Sequence, residues 1–237
     1  MNIIVTGASQ GIGYELVKDF CRQLKSGKII ALSRNVENLE KLRKECGAIN
    51  SSVSVIPVVA DISSLKLSQT HSALFQSEML HVDILINNAG LLVKKNLSDL
   101  SEEDIYRVYN VNVFSIFRLV KLLKPQMGGE KQTHIVNISS MGGFQGSAKF
   151  AGLSAYSSSK GAAAILTERL AEEFKNDNIK VNCLALGAAQ TKMLEEAFPG
   201  YKAPLTAEQM ANFISNFSLK GSNLFNGKIL PVSLSTP

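Results

Sequence analysis

Short apolar runs bounded by polar or turn-forming residues recur along the chain, at Ile3 to Val5, Ile29 to Leu32, Val53 to Val59, Val82 to Ile86, Ile135 to Ile138, Val181 to Leu186 and Ile229 to Val232. Each is short enough for a buried β-strand. Between them the apolar positions fall three and four apart, as in Ile12-Leu16-Val17-Phe20-Leu24 and Ile165-Leu166-Leu170-Phe174, which predicts amphipathic helices. Parallel strands need long crossovers, and these are normally helical. The alternation therefore predicts an α/β fold, a doubly wound, mostly parallel seven-stranded sheet with helices on both faces. No linker, repeat or low-complexity tract interrupts the pattern, so residues 1–237 are expected to form one domain.

Composition narrows the function classes. The 237 residues are 45% hydrophobic, enough for a sizeable core. The formal net charge is +5, but the basic residues are scattered, with no Lys/Arg run longer than two, so no nucleic-acid partner is expected. The first strand-like run has no signal-peptide pattern before it, and no apolar run approaches the ~18 residues that span a bilayer. This predicts a soluble, cytoplasmic protein without a membrane partner. Cys21, Cys46 and Cys183 have neither metal-like nor redox-like spacing and are read as buried, reduced thiols, with no metal site.

Candidate chemistry begins at "TGASQGIG", residues 6 to 13, between the first apolar run and a helical pattern. A strand, glycine turn and helix start can hold a phosphate on exposed backbone N–H groups and the positive helix end. In that reading Gly7 makes the tight turn, Gly11 admits a pyrophosphate, and Gly13 lets the helix pack close to the sheet of a Rossmann-like fold. The same letters contain Gly7-Ala8-Ser9-Gln10-Gly11, which fits a G-x-S-x-G nucleophile elbow. That elbow would stand on the first strand, and the last histidine is His134, so a hydrolase is disfavoured; His71, His81 and His134 are isolated from one another. The second run ends at Leu32-Ser33-Arg34-Asn35, where an arginine without a neighbouring acid suits a ribose 2′-phosphate and favours NADP(H). Asp61 follows the third run and either caps the next helix with Ser63 or touches the adenine.

Tyr156-Ser157-Ser158-Ser159-Lys160 places a phenol and an ammonium on one helix face. A tyrosine titrating near ~10 is a poor acid–base catalyst until a nearby cation favours its phenolate. Tyr14 and Lys18 repeat the spacing, but directly behind the glycine turn and without a partner hydroxyl. Tyr156 instead follows Asn137-Ile138-Ser139-Ser140, which brings a serine hydroxyl to the carboxyl edge of the sheet.

Thr6 to Gly13, Asn87-Asn88-Ala89-Gly90, Asn110-Val111-Asn112, Ile138-Ser139-Ser140, Tyr156 to Lys160 and Val181-Asn182 occur in one order. Together they resemble the short-chain dehydrogenase/reductase family in its compact single-domain form, over essentially the whole chain. The resemblance implies hydride transfer between a nicotinamide and a carbonyl or secondary-alcohol substrate. Tyr156 would be the general acid/base, Ser140 would hydrogen-bond the reacting oxygen, Lys160 would lower the tyrosine pKa and hold the nicotinamide ribose, and Asn112 would position a water that reprotonates Lys160. The cofactor would lie on Gly7, Ser9, Gln10, Gly11, Ile12, Gly13, Ser33, Arg34, Asp61, Ile62, Asn88, Ala89, Gly90, Tyr156, Lys160, Gly187 and Thr191.

Three places depart from the family's pattern. Leu186-Gly187 stands where Pro-Gly is usual, and Gln10 where many NADP-preferring relatives carry a cation. The Ser140 to Tyr156 interval is about three residues longer than usual and should bulge at the substrate mouth. The Lys192 to Pro204 segment looks short for a substrate lid, which suggests an open pocket walled by Phe144, Phe150, Leu153, Met193, Phe198 and Tyr201. Gly161-Ala162-Ala163-Ala164 suits either packing on the protein's own sheet or a helix of a homodimer or homotetramer. Alternatives to the reductase are a silent NADP(H)-binding regulator and an isomerase or dehydratase on the same fold.

Overall fold

The computed structural model describes residues 1–234. Strands β1 (Asn2–Thr6), β2 (Gly27–Ser33), β3 (Val53–Val59), β4 (Ile84–Asn87), β5 (Thr133–Ser140), β6 (Ile179–Leu186) and β9 (Ile229–Val232) form a seven-stranded sheet in the order β3-β2-β1-β4-β5-β6-β9. Every pairing in it is parallel. The seven apolar runs are these strands, β4 beginning two residues later than the run that predicts it. Helices α1 (Gly11–Gln23), α2 (Val36–Ile49), α3 (Leu67–Glu78), α4 (Glu102–Tyr109), α5 (Ser115–Leu123), α6 (Ser154–Glu173) and α8 (Ala207–Lys220) make the crossovers. A two-residue ladder of β7 (Ala189–Gln190) with β8 (Leu205–Thr206) brackets the short α7 (Lys192–Ala197) and has no counterpart in the apolar pattern.

Because both faces are covered, the strands are apolar nearly throughout, and alternate residues feed opposite cores. Ile3 and Val5 pack with Leu16, Val17 and Phe20 of α1, while Ile4 joins Leu85 and the α5 residues Leu119 and Leu123 on the other face. Ala163 is 1% exposed and belongs to this second core, so it serves the packing of α6 on its own sheet. Cys21 and Cys46, far apart in sequence, come together between α1 and α2 with their thiols hydrogen-bonded, and all three cysteines are buried and unpaired as disulfides. Between α4 and α5 the chain runs through a widened π-helical turn, Asn110–Phe114, which carries Asn112 into the interior at 2% exposure.

The sheet order reverses between β1 and β4, and a crevice opens outside the carboxyl ends of the strands at such a point.

Candidate active site

Thr6 closes β1 and laces two loops together. Its hydroxyl accepts the backbone N–H groups of Asn88 and Ala89, each at 3.0 Å, and Asn88 Nδ2 donates to the Thr6 carbonyl at 2.9 Å. The turn after β1 can then be tight only with glycine. Gly7 has φ +68°, in the left-handed region, and a Cβ on Gly13 would lie 2.3 Å from the Gly7 carbonyl oxygen and 2.6 Å from Asn88 Nδ2. Helix α1 thus starts hard against the sheet, with Gln10 offering no side-chain cap and no acidic residue in its first turn. Its free N–H groups and positive end are left for a ligand anion. Ser33 Oγ donates to Ser9 Oγ at 2.7 Å, tying the end of β2 to the turn.

Arg34 is exposed beyond β2 and makes no hydrogen bond or ion pair among the described residues. Asp61 accepts from the Ser63 amide at 2.9 Å and hydroxyl at 2.7 Å in a local turn; it does not cap the next helix, since α3 starts at Leu67 behind Lys66 with no side-chain cap, and it lines the cavity. Burial opposes its ionisation, but the Ser63 hydrogen bonds and the charges of Arg34 and Arg118 hold the carboxyl below its ordinary value.

The candidate catalytic side chains come from β5 and α6. Ser140 ends β5, and its Oγ accepts the Gly142 amide at 3.1 Å while also meeting the Tyr156 phenol. Gly143 makes this possible, because a Cβ there would lie 2.5 Å from the Gly161 backbone nitrogen, so the loop after β5 rests directly on α6. Desolvation pushes the Tyr156 phenol above its ordinary value, and the Ser140 hydroxyl draws it back. Lys160 is 4% exposed, donates from Nζ to the Ile138 carbonyl at 2.8 Å, and lies 5.8 Å from the centre of the Tyr156 ring. Burial lowers its ammonium to about 8.

Asn112 lies behind this group. Its Oδ1 accepts the Leu91 amide at 2.8 Å, and its Nδ2 donates to the Leu91 carbonyl and to Ser159 Oγ, each at 2.9 Å. It braces the loop after β4 against α6.

Every candidate cofactor residue, together with Ser140, lines one cavity of about 740 Å³; Asn112 does not reach its surface. Phe150, Leu153, Met193, Phe198 and Tyr201 line it also, whereas Phe144 stays out of it, half-buried under its own loop with its carbonyl accepting Lys149 Nζ at 2.7 Å. Tyr14 lies outside the cavity, with Lys18 engaged by Glu15 at 3.2 Å and Glu45 at 3.6 Å. Leu186 keeps its place in the sheet opposite Val232, and the Gly187 amide donates to the Val232 carbonyl at 2.8 Å, which ties the start of the loop to β9. Thr191 caps α7 through the Leu194 amide at 3.3 Å and packs close to Gly11, its methyl 3.4 Å from where a Gly11 Cβ would stand. Sequence reasoning missed Arg107, Asn110 and Val111 as lining residues; the last two adjoin Asn112 in the chain, but Arg107 belongs to no motif. Among the described residues no three metal-ligating side chains cluster, and no helix is long and apolar enough to cross a membrane.

Fold and crevice define a Rossmann-like protein built around a dinucleotide-sized cleft. The short chain dehydrogenase family model matches residues 1–202, and the chain belongs to that family of oxidoreductases. It is similar to the mouse dehydrogenase/reductase SDR family member 7B, 33% identical over 193 residues, which is 81% of this chain and 58% of that protein. The chain thus spans little more than half the length of that relative. Among solved structures it resembles L-sorbose reductase from Gluconobacter frateurii complexed with NADPH and L-sorbose, with TM-score 0.87, 22% identity and coverage of 99% of this chain and 95% of that one. It also resembles the 3-ketoacyl-(acyl-carrier-protein) reductase from Brucella melitensis complexed with NADH, with TM-score 0.83, 24% identity and coverage of 98% and 96%.

Proposed function

We propose that this short chain dehydrogenase is an NADP(H)-dependent oxidoreductase that interconverts a carbonyl compound and its secondary alcohol, with Tyr156 as general acid/base. The observation that supports it is the single cavity shared by the glycine turn, Arg34, Ser140, Tyr156 and Lys160. The residues fit a nicotinamide dinucleotide: the uncapped start of α1 suits a pyrophosphate, and the unpaired Arg34 guanidinium suits a 2′-phosphate. Ser33, Asp61, Ile62 and the Asn88 to Gly90 loop would hold the adenosine half; Gly187, Thr191 and Lys160 would hold the other. When bound, the nicotinamide supplies or accepts the hydride.

The chain's own residues handle the oxygen and its proton. Ser140 Oγ donates to the substrate oxygen and fixes it beside the Tyr156 phenol, which protonates the oxygen as it gains charge, or removes the alcohol proton in reverse. The Lys160 cation, kept at 5.8 Å from the ring by Ile138, favours the phenolate electrostatically against the desolvation that opposes it. Both amide hydrogens of Asn112 are spent on Leu91 and Ser159, so its part in reprotonating Lys160 falls to the remaining lone pair of Oδ1. Tyr106, Phe117 and Ile165, on α4, α5 and α6, are 58%, 52% and 58% exposed; they support self-association through these helices, which light scattering measures.

The test is NADPH-dependent reduction of a carbonyl panel by wild type and Tyr156→Phe. The variant should bind NADPH yet lose roughly 10²- to 10⁴-fold in kcat/KM. Undiminished turnover in Tyr156→Phe would remove the mechanism, and failure of the wild type to bind either nicotinamide would remove the enzyme reading.

A further inference from the structure

The five charged residues lining the cavity are unevenly placed. Arg34 and Asp61 follow the second and third strands and Arg107 stands on α4, so none of the three comes from β5 or the segments after β5 and β6, which carry Ser140, Tyr156 and Met193. Lys160 is held by Ile138, and Lys192 is engaged by Glu196 at 3.7 Å. Around the reacting oxygen the wall is instead apolar, made by Met141, Phe150, Leu153, Met193 and Phe198. Beyond Ser140 and Tyr156, the side-chain hydroxyls near this wall include that of Ser139, which donates to the Lys160 carbonyl at 2.8 Å, that of Thr191, which accepts the Leu194 amide at 3.3 Å, and that of the half-exposed Tyr201.

The wall is also braced. Lys94 donates from Nζ to the Ala197 carbonyl at 2.8 Å and stands 4.0 Å from the centre of the Phe198 ring, pinning the end of α7 to the loop after β4. Phe150 meets Phe198 edge to face, with centroids 6.1 Å apart and planes at 69°. Phe150 is nevertheless 62% exposed, on a concave surface. Large apolar side chains left wet inside a cleft mark the place that a ligand covers.

We propose that the substrate is a neutral carbonyl compound bearing an aromatic or bulky aliphatic group, seated against Phe150 and Phe198, and not a polyhydroxylated one. This rests on the oxidoreductase reading above. A polyol buried here would leave most of its hydroxyls without partners, each a substantial loss, whereas a phenyl group would cover surface that is otherwise exposed to water. The likeness in fold to a sorbose reductase carries no substrate over to this chain, because fold does not determine substrate.

The test offers 2-butanone, 4-phenyl-2-butanone and L-sorbose to the NADPH-loaded enzyme, following NADPH absorbance, and measures their binding to the Tyr156→Phe protein with NADPH by calorimetry. The phenyl ketone should exceed 2-butanone by about 10- to 100-fold in both kcat/KM and affinity, with L-sorbose below both. In Phe150→Ala and Phe198→Ala that ratio should fall toward one, with NADPH binding reporting that each variant is folded. A preference for L-sorbose, or a phenyl ketone no better than 2-butanone in turnover and binding alike, overturns the substrate class and leaves the oxidoreductase reading standing. Tight binding of the phenyl ketone without turnover of any carbonyl removes the oxidoreductase reading and leaves only an aromatic ligand seat on Phe150 and Phe198.

Discussion

Lys160 Nζ donates to the Ile138 carbonyl at 2.8 Å, so the ammonium hangs from the end of the sheet with its charge 5.8 Å from the centre of the Tyr156 ring. Holding it there has a measurable cost. The folded-state pKa is lowered from 10.5 to about 8, so between these values the unfolded chain binds more protons and stability rises with pH. Lys160→Met lacks this titration. The stability of wild type relative to the variant should therefore increase from pH 8 to 10.5, by up to about 3 kcal/mol in urea unfolding. A difference independent of pH would mean that the amine is not desolvated.

In the proposed reading Arg34 carries the preference for NADP(H). A charge-assisted contact with a 2′-phosphate contributes about 1.5 to 3 kcal/mol, so Arg34→Ala should weaken NADPH binding roughly 10- to 150-fold and leave NADH binding little changed. Calorimetry of both cofactors on both proteins decides it. Equal losses for the two cofactors would show that Arg34 reads no phosphate.

Much of this cleft is legible in the sequence because its parts are local. The turn from Gly7 to Gly13, the hydroxyl at the end of β5 and the Tyr156–Lys160 helix face are each set within a few residues, and seven apolar runs order them along one sheet edge. What is not legible depends on contacts between distant segments. The π-helical turn that buries Asn112 leaves no periodic trace, and the Cys21–Cys46 contact arises only once α1 lies beside α2. Phe144 and Phe150 are equally apolar letters in one loop, yet Phe150 turns into the cavity and Phe144 does not.

Two glycines should respond to alanine in opposite directions. At Gly13 a Cβ meets the Gly7 carbonyl at 2.3 Å, and backbone cannot swing aside, so Gly13→Ala should cost about 1 to 3 kcal/mol and weaken NADPH binding as α1 is pushed off the turn. Gly47, in α2, has nothing within 4 Å of its Cβ position. Gly47→Ala should then stabilise by roughly 0.5 to 1 kcal/mol through helix propensity and the unfolded chain's lost freedom. Thermal or urea unfolding of the two variants tests the pair together, and a neutral Gly13→Ala would show that the turn is looser than drawn.

His134 makes the fold acid-sensitive at a place remote from the cleft. Its ring is 3% exposed; Nδ1 faces the Ser218 carbonyl at 2.9 Å and Nε2 faces Asn182 Nδ2 at 3.0 Å. This network assigns the proton to Nδ1 and makes Nε2 the acceptor. Protonation would turn that acceptor toward a second donor, and burial, partly offset by the Ser218 hydrogen bond, lowers the pKa from 6.5 to about 4. A depressed folded-state value means that the neutral ring contributes stability above about pH 6.5, which is lost as the pH falls toward 4. Wild type should lose up to about 3 kcal/mol of urea stability across that window relative to its value at pH 7. His134→Gln, which keeps a donor and an acceptor but does not titrate, should lack this component of the slope, while its offset at pH 7 reports only packing. If wild type and His134→Gln fall in parallel from pH 6.5 to 4, the acid loss arises at other groups and not where Asn182 joins β6 to the segment before β9.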